Sequence, residues 1–247
     1  MNFGGSRLGF WFRPTDRAIR SKKVLVFYDP LTYGPGGIPD YYNYDVSPQF
    51  TVWPVLQARE TALGFQPSLC TSFAALSAIN LDEYSHIWDI GYATPYYTNP
   101  NNPAAQLTSF LQRGGAMFML GENYYFAERD NTIDTFVNSL GGGPATYWPN
   151  PAYYTEINAT VQPEFLIANN STSITFNAPN VFETYGSATP IAIASGVPYP
   201  TAVCWKTGSL SSAPAGAIVS VLDINFFAGG DYNPDFIDNI SLILNQR

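Results

Sequence analysis

Four acidic residues stand where apolar runs end: Asp29 after KVLVFY, Asp89 within HIWDI, Glu122 after AMFMLG and Asp223 after AIVSVL. If those runs are strands of an open α/β sheet, the acids lie along the edge outside the strands' carboxyl ends, where such sheets bind ligands. Two chemistries would suit them. Converging carboxylates could hold Ca²⁺ or Mg²⁺, which prefer oxygen ligands, or a pair such as Glu122 with Asp89 or Asp223 could act as general acid and base. The competing reading is that Asp and Asn end strands and cap turns, and it is preferred here: no metal, no cofactor and no catalytic residue is expected. Asp29, Asp89, Tyr92, Glu122, Asn123, Tyr124, Asp223 and Asn225 are kept as a candidate ligand pocket for a carbohydrate or other small molecule.

Other reactive residue types are sparse. The single histidine, His86, has the near-neutral pKa of a general base, but inside an apolar strand it reads as a hydrogen-bonded core residue. Asp82 and Glu83 read as turn-capping. Cys70 and Cys204 form no CxxC pair, so they give no metal signature and are expected as buried thiols. The N-x-[ST] triplets at Asn158, Asn169, Asn170 and Asn239 are what an Asn-rich chain produces by chance, and no phosphate loop, GxSxG or HExxH is present.

The elements that would position these groups follow from periodicity. Short, continuous apolar runs at 23–28, 86–90, 116–120 and 217–224 predict strands buried on both faces. Between them, 50–63 places Val52, Val55, Leu56, Arg59 and Leu63 at helical spacing. A weak edge strand at 65–69 and a short helix at 73–79 follow, then a helix over 104–113 opened by Pro103 and closed by Gly114 and Gly115. A further helix, capped by Asp130, runs to Leu140, and a last one covers 233–244. This alternation predicts an α/β fold: a three-layer, mostly parallel sheet with helices on both faces. Short strands at 155–161, 173–176, 191–194 and 203–206, separated by Pro, Asn and Gly, predict an antiparallel β extension in the second half. The expected organisation is an arm over 1–22 followed by a single domain over 23–247, with a β-rich insertion at about 144–214.

Two segments carry a family resemblance. LTSFLQRGGAMFMLGENYYFAERDNTIDTFVNSLGGG (107–143) has a helix ended by Gly-Gly, a strand, a sharp turn and another helix, and AGAIVSVLDINFFAGGDYNPDFIDNISLILN (215–245) looks like a terminal strand, Asp-containing turn and last helix. Together these resemble the class I glutamine amidotransferase-like fold, a relative of flavodoxin-like sheets. In active members a Cys at the sharp turn works with a downstream His and an acidic residue, because a thiolate attacking an amide carbonyl needs a neighbouring base. Here that turn reads Leu120, Gly121, Glu122, Asn123, Tyr124, so that either Glu122 or Asn123 occupies the nucleophile position, and no His follows it. The resemblance therefore implies the fold without the amidotransferase mechanism.

Composition points toward interaction. Of 247 residues 46% are hydrophobic and 16% aromatic, but only 12% charged, so the chain should fold and present Asn, Thr, Ser and Tyr to solvent. Residues 1–23 hold six basic groups against one acid, while 24–247 hold five against eighteen. A body this acidic repels phosphate backbones, which argues against nucleic acid as a partner. The arm interleaves Phe10, Trp11 and Phe12 with Arg13, Arg17 and Arg20, and two loops are rich in tyrosine: Tyr41, Tyr42 and Tyr44 in the first, Tyr96 and Tyr97 in the second. Such surfaces suit protein interfaces, and an aromatic, basic arm could dock on the acidic body of another copy. The expected function is a non-catalytic structural or interaction protein, a building block of a virion, surface layer or filament, whose partner is itself or another assembly protein. No secretory signal is read in the first 22 residues, and no apolar run approaches the roughly 18 residues a membrane helix needs, so a soluble protein without membrane insertion is expected.

Overall fold

The protein is described by a computed structural model over residues 21–29, 52–91, 95–123, 126–147, 156–167, 172–196 and 198–246. The arm residues Phe10, Trp11, Phe12, Arg13, Arg17 and Arg20, and the tyrosines Tyr41, Tyr42, Tyr44, Tyr92 and Tyr124, lie outside these ranges.

The amino-terminal half alternates strand and helix: β1 (Lys23–Phe27), α1 (Trp53–Ala62), β2 (Gln66–Cys70), α2 (Phe73–Leu76), β3 (Tyr84–Asp89), α3 (Ala104–Gln112), β4 (Ala116–Leu120) and α4 (Ala127–Ser139). Six strands follow in succession: β5 (Ala145–Tyr147), β6 (Glu156–Val161), β7 (Ser173–Asn177), β8 (Phe182–Tyr185), β9 (Thr189–Ala194) and β10 (Pro200–Trp205). Strand β11 (Ala217–Val221) and helix α5 (Pro234–Asn245) close the chain. Nine strands form one sheet in the order β2-β1-β3-β4-β11-β10-β9-β6-β7; the first five are parallel and the rest antiparallel, while β5 and β8 pair separately. The α/β architecture and its antiparallel extension are thus as the periodicity predicts.

The two-residue period of a strand distributes one sequence to two cores. Val24 and Val26 of β1 pack on one face with Leu56 of α1 and Ile237 and Ile240 of α5. Leu25 and Phe27 face the opposite side, with Phe73 of α2, Phe110 of α3 and Phe136 of α4. Helices on both faces explain why β4, AMFML, is buried at every position. The extension differs: β6 alternates, with Ile157, Ala159 and Val161 buried and Glu156, Asn158 and Thr160 exposed, as expected of an antiparallel strand with one wet face.

Local chemistry sets the boundaries. Ser72 Oγ accepts from Ala75 N–H at the start of α2, and Asn233 Oδ1 accepts from Phe236 N–H at the start of α5, where Pro234 fills the first helical position. Gly114 ends α3 at φ +88°, a conformation glycine reaches without steric cost. The cap expected at Asp130 is corrected: α4 begins three residues earlier, and Asp130 lies buried in its first turn.

Candidate functional site

The parallel register brings the carboxyl ends of β1, β3, β4 and β11 side by side, carrying Asp29, Asp89, Glu122 and Asp223 to one edge. All four side chains are buried. Asp29 Oδ2 accepts from Phe73 N–H at 3.0 Å and from Asn99 Nδ2 at 3.4 Å, which fixes the entry to α2. Asp89 Oδ1 accepts from Gly91 N–H at 3.1 Å, while Oδ2 accepts from Arg129 Nη2 at 2.6 Å and from the Tyr96 hydroxyl. Arg129 is itself fully buried, and its Nε donates to the carbonyl of Leu120 at 2.7 Å.

Tyr96 is therefore not an interface residue, and that expectation is corrected. Its ring sits edge-on against Phe73 and Phe136 with centroids 5.6 and 5.8 Å away, it lies under the Arg129 guanidinium, and it is 0% exposed. Burial, then the Asp89 charge, pushes its hydroxyl well above the ordinary tyrosine pKa. The neighbouring Tyr97 is 43% exposed. The difference has a physical origin, since a buried carboxylate beside a buried cation still needs a donor and the Tyr96 hydroxyl supplies it.

The second half of the edge is built from the turn after β4. Gly121 N–H donates to Val221 O at 2.8 Å, holding the turn against β11. Glu122 then folds back into the protein: Oε2 accepts from Ile224 N–H at 3.1 Å, and Oε1 accepts from Asn123 N–H at 2.9 Å and Nδ2 at 3.2 Å. Its own N–H donates to Asp130 Oδ1 at 3.3 Å. Asp223 accepts from the N–H groups of Asn177 and Asn225, both at 2.7 Å, and Asn225 Nδ2 donates to Asn177 O at 3.1 Å. Burial, reinforced by Asp223, pushes Glu122 well above the usual carboxylate range; burial raises Asp130 and Asp223 each to about 7.

Of the eight candidate pocket residues, Asp29, Asp89, Glu122, Asn123, Asp223 and Asn225 are placed on this edge. Each of the four carboxyls is occupied by intramolecular donors. Among the described residues no group of three His, Cys, Asp or Glu side chains is arranged to hold a metal ion. These hydrogen bonds pin turns, the start of α2 and the two halves of the sheet.

A second polar cluster lies beneath α1 and α5. Glu60 Oε1 accepts from Ser241 Oγ at 2.6 Å and Trp88 Nε1 at 2.7 Å, and lies 3.2 Å from His86 Nε2; His86 Nδ1 is 2.9 Å from Ser85 Oγ. His86 is fully buried with its ring edge-on to Phe65, the core placement its setting predicts. Asp82 and Glu83 pair on the surface with Arg113 and Lys23, and both cysteines are free and buried. The Asn239 sequon is buried, its Oδ1 accepting from Ile167 N–H at 2.8 Å.

Glu60, Arg129 and Asp130 were not among the expected site residues, yet periodicity carries a signal for them. Glu60 follows the buried Leu56 by four positions, and Arg129 and Asp130 precede the buried Ile133 by four and three. A charged residue on the apolar stripe of a helix needs a buried partner, and each has one.

No protein-family model matches the chain, and no curated protein matches it in sequence. Solved structures do resemble it. The mmIFT52 N-terminal domain is similar with a TM-score of 0.60 at 12% identity, over 91% of this chain and 98% of that one. A ThuA-like protein from Bacteroides uniformis is similar with a TM-score of 0.51 at 13% identity, over 93% and 94%. At these identities the likeness is one of fold, and it extends over nearly the whole chain.

Proposed function

We propose that this chain is a non-catalytic structural or interaction protein: an amidotransferase-like α/β body used as a building block in a larger assembly, such as a virion component, a surface layer or a filament. The observation that carries this reading is Glu122. At the turn where the resembling family keeps its nucleophile, the side chain is 2% exposed, and Oε2 is bound to the N–H of Ile224. A nucleophile or general acid must reach a substrate atom; this carboxyl instead fastens two strand ends together. His86, the only candidate base by residue type, is buried and bound to Glu60 and Ser85.

The surfaces assigned to assembly are the arm over 1–22 and the tyrosine-rich loops, in which Tyr97 is exposed. The partner is a second copy or another protein of the assembly. No helix among the described residues is long and apolar enough to cross a membrane. The test is sedimentation velocity of the full chain beside one lacking residues 2–22. The full chain should form discrete oligomers and the shortened chain should not; identical profiles would overturn the role of the arm, and a full chain that is monomeric at every concentration would overturn self-assembly.

A further inference from the structure

Glu122, Asp130 and Asp223 reach one buried corner from three elements, the turn after β4, helix α4 and the turn after β11, and the same corner ties the antiparallel extension to the parallel core. From the extension, Asn177 gives its N–H to Asp223 Oδ2 and its carbonyl accepts from Asn225. Three residues on, Asn180 gives its side-chain amide to Asp130 Oδ2 at 2.8 Å and its N–H to Leu222 O at 3.2 Å. Between these two anchors stands Ala178 at φ +55°, a left-handed conformation that a residue with a Cβ adopts only when its surroundings hold it there. The segment joining β7 to β8 is thus strained backbone bound to an acid at each end, through the backbone N–H of Asn177 and the side-chain amide of Asn180.

The charges facing the corner are almost all negative. Glu122 faces Asp223 and Asp130, and Asp223 also faces Asp231, beyond which stands Glu156. Asp130 faces Arg129 and the buried Tyr147 hydroxyl, near which Asp134 also lies. Arg129 is the cation among these groups, and its guanidinium is bound to Asp89 and to Leu120 O. Ionisation strengthens the N–H bonds from Asn177 and Asn180, but burial of three mutually repelling acids outweighs that gain, so the corner favours holding protons.

We propose that Glu122, Asp130 and Asp223 form a proton-operated latch: with protons retained, the corner holds the 177–180 segment to the core, and as the protons leave, the segment is released from Ala178 outward. The latch is independent of the assembly reading and could serve a chain of any function. The raised values of Asp130 and Asp223, each about 7, place release in the neutral range. A carboxyl raised on folding contributes stability that is full below its unfolded value, about 4, and is lost as pH climbs through the folded value. Glu122, also pushed well above the usual carboxylate range and facing Asp223, adds to the loss.

Hydrogen exchange of the full chain at about pH 6 and about pH 8.5, corrected for intrinsic exchange chemistry, tests this. Peptides covering 172–185 should lose protection several-fold at the higher pH relative to peptides covering β3 and α3, and about 1 M salt should leave that loss in place, since salt screens surface charge far more than buried charge. Glu122→Gln and Asp223→Asn should each remove most of the difference. A protection ratio that does not change with pH in the wild-type chain would overturn the latch without recourse to any variant. So would its full persistence in both variants, or its disappearance in salt.

Discussion

Neighbouring strand ends of the same sheet bury acids in opposite ways. At the end of β3, Asp89 is neutralised by a cation: Arg129 reaches it from α4 at 2.6 Å and Tyr96 completes its hydrogen bonds. At the ends of the next two strands, β4 and β11, Glu122 and Asp223 meet no such cation among the described residues that face them, and burial drives them toward the protonated form. Both are buried carboxyls with backbone donors, so hydrogen bonding alone does not separate them. A single guanidinium does: at one site it pairs the charge, and at the other burial favours the proton.

Removing the cation should give the largest effect. Arg129→Met leaves Asp89 buried and unpaired and should cost about 3 to 5 kcal/mol in urea unfolding. An Asp89→Asn, Arg129→Met double variant should recover part of that loss, because the pair is then removed together. Next in size is Gly121→Ala. A Cβ there would stand 2.8 Å from Asp130 Oδ1 and 2.5 Å from Leu222 Cδ2, so the turn and the corner must shift, at about 1 to 3 kcal/mol in the same measurement.

The sharpest contrast is one of sign. Asp223→Asn should raise the unfolding midpoint at about pH 8.5, where the wild-type corner is forced to ionise, and lower it at about pH 5, because an amide offers one acceptor oxygen to the two N–H groups of Asn177 and Asn225. Asp89→Asn should lower it at both, because Arg129 loses its partner. Thermal melts at the two pH values compare them directly. Smallest of all is the exposed Arg113–Asp82 pair, 2.7 Å apart with both side chains about half exposed. Arg113→Ala should leave the melt unchanged within error, showing that ion pairing on the surface does not mimic the effect at the sheet edge.

Much of this fold is legible in the chain, and the illegible parts share a cause. The span of β4 is readable as 116–120 because five apolar residues stand between a Gly-Gly helix end and a turn, and α5 because Phe236, Ile237, Ile240 and Leu244 form one stripe. By contrast, β5 has three residues and β8 four, and they pair with each other across about forty positions, so no local period announces them. The candidate site divides likewise. Strand-end acids are visible as punctuation after apolar runs. Their neutralisation is not, because it depends on whether a residue such as Arg129, remote in sequence, is turned into the same corner. Tyr96 stands in an aromatic loop that reads as surface, yet the unmet donor requirement of Asp89 draws it into the core. Asp130 has the residue type of a cap, and only the close approach of Asn180 shows where its oxygens are used.

The distinction between proton and cation can be read one group at a time from the carboxyl carbon resonances of Asp130 and Asp223 in isotope-labelled protein titrated across the neutral range. Both should move with midpoints near neutrality, about 7, and sharpen or shift when Glu122 is replaced by Gln. Resonances already at their ionised positions at about pH 5, unmoving to about pH 9, would contradict the account, because the corner would then hold its charges without protons or a cation.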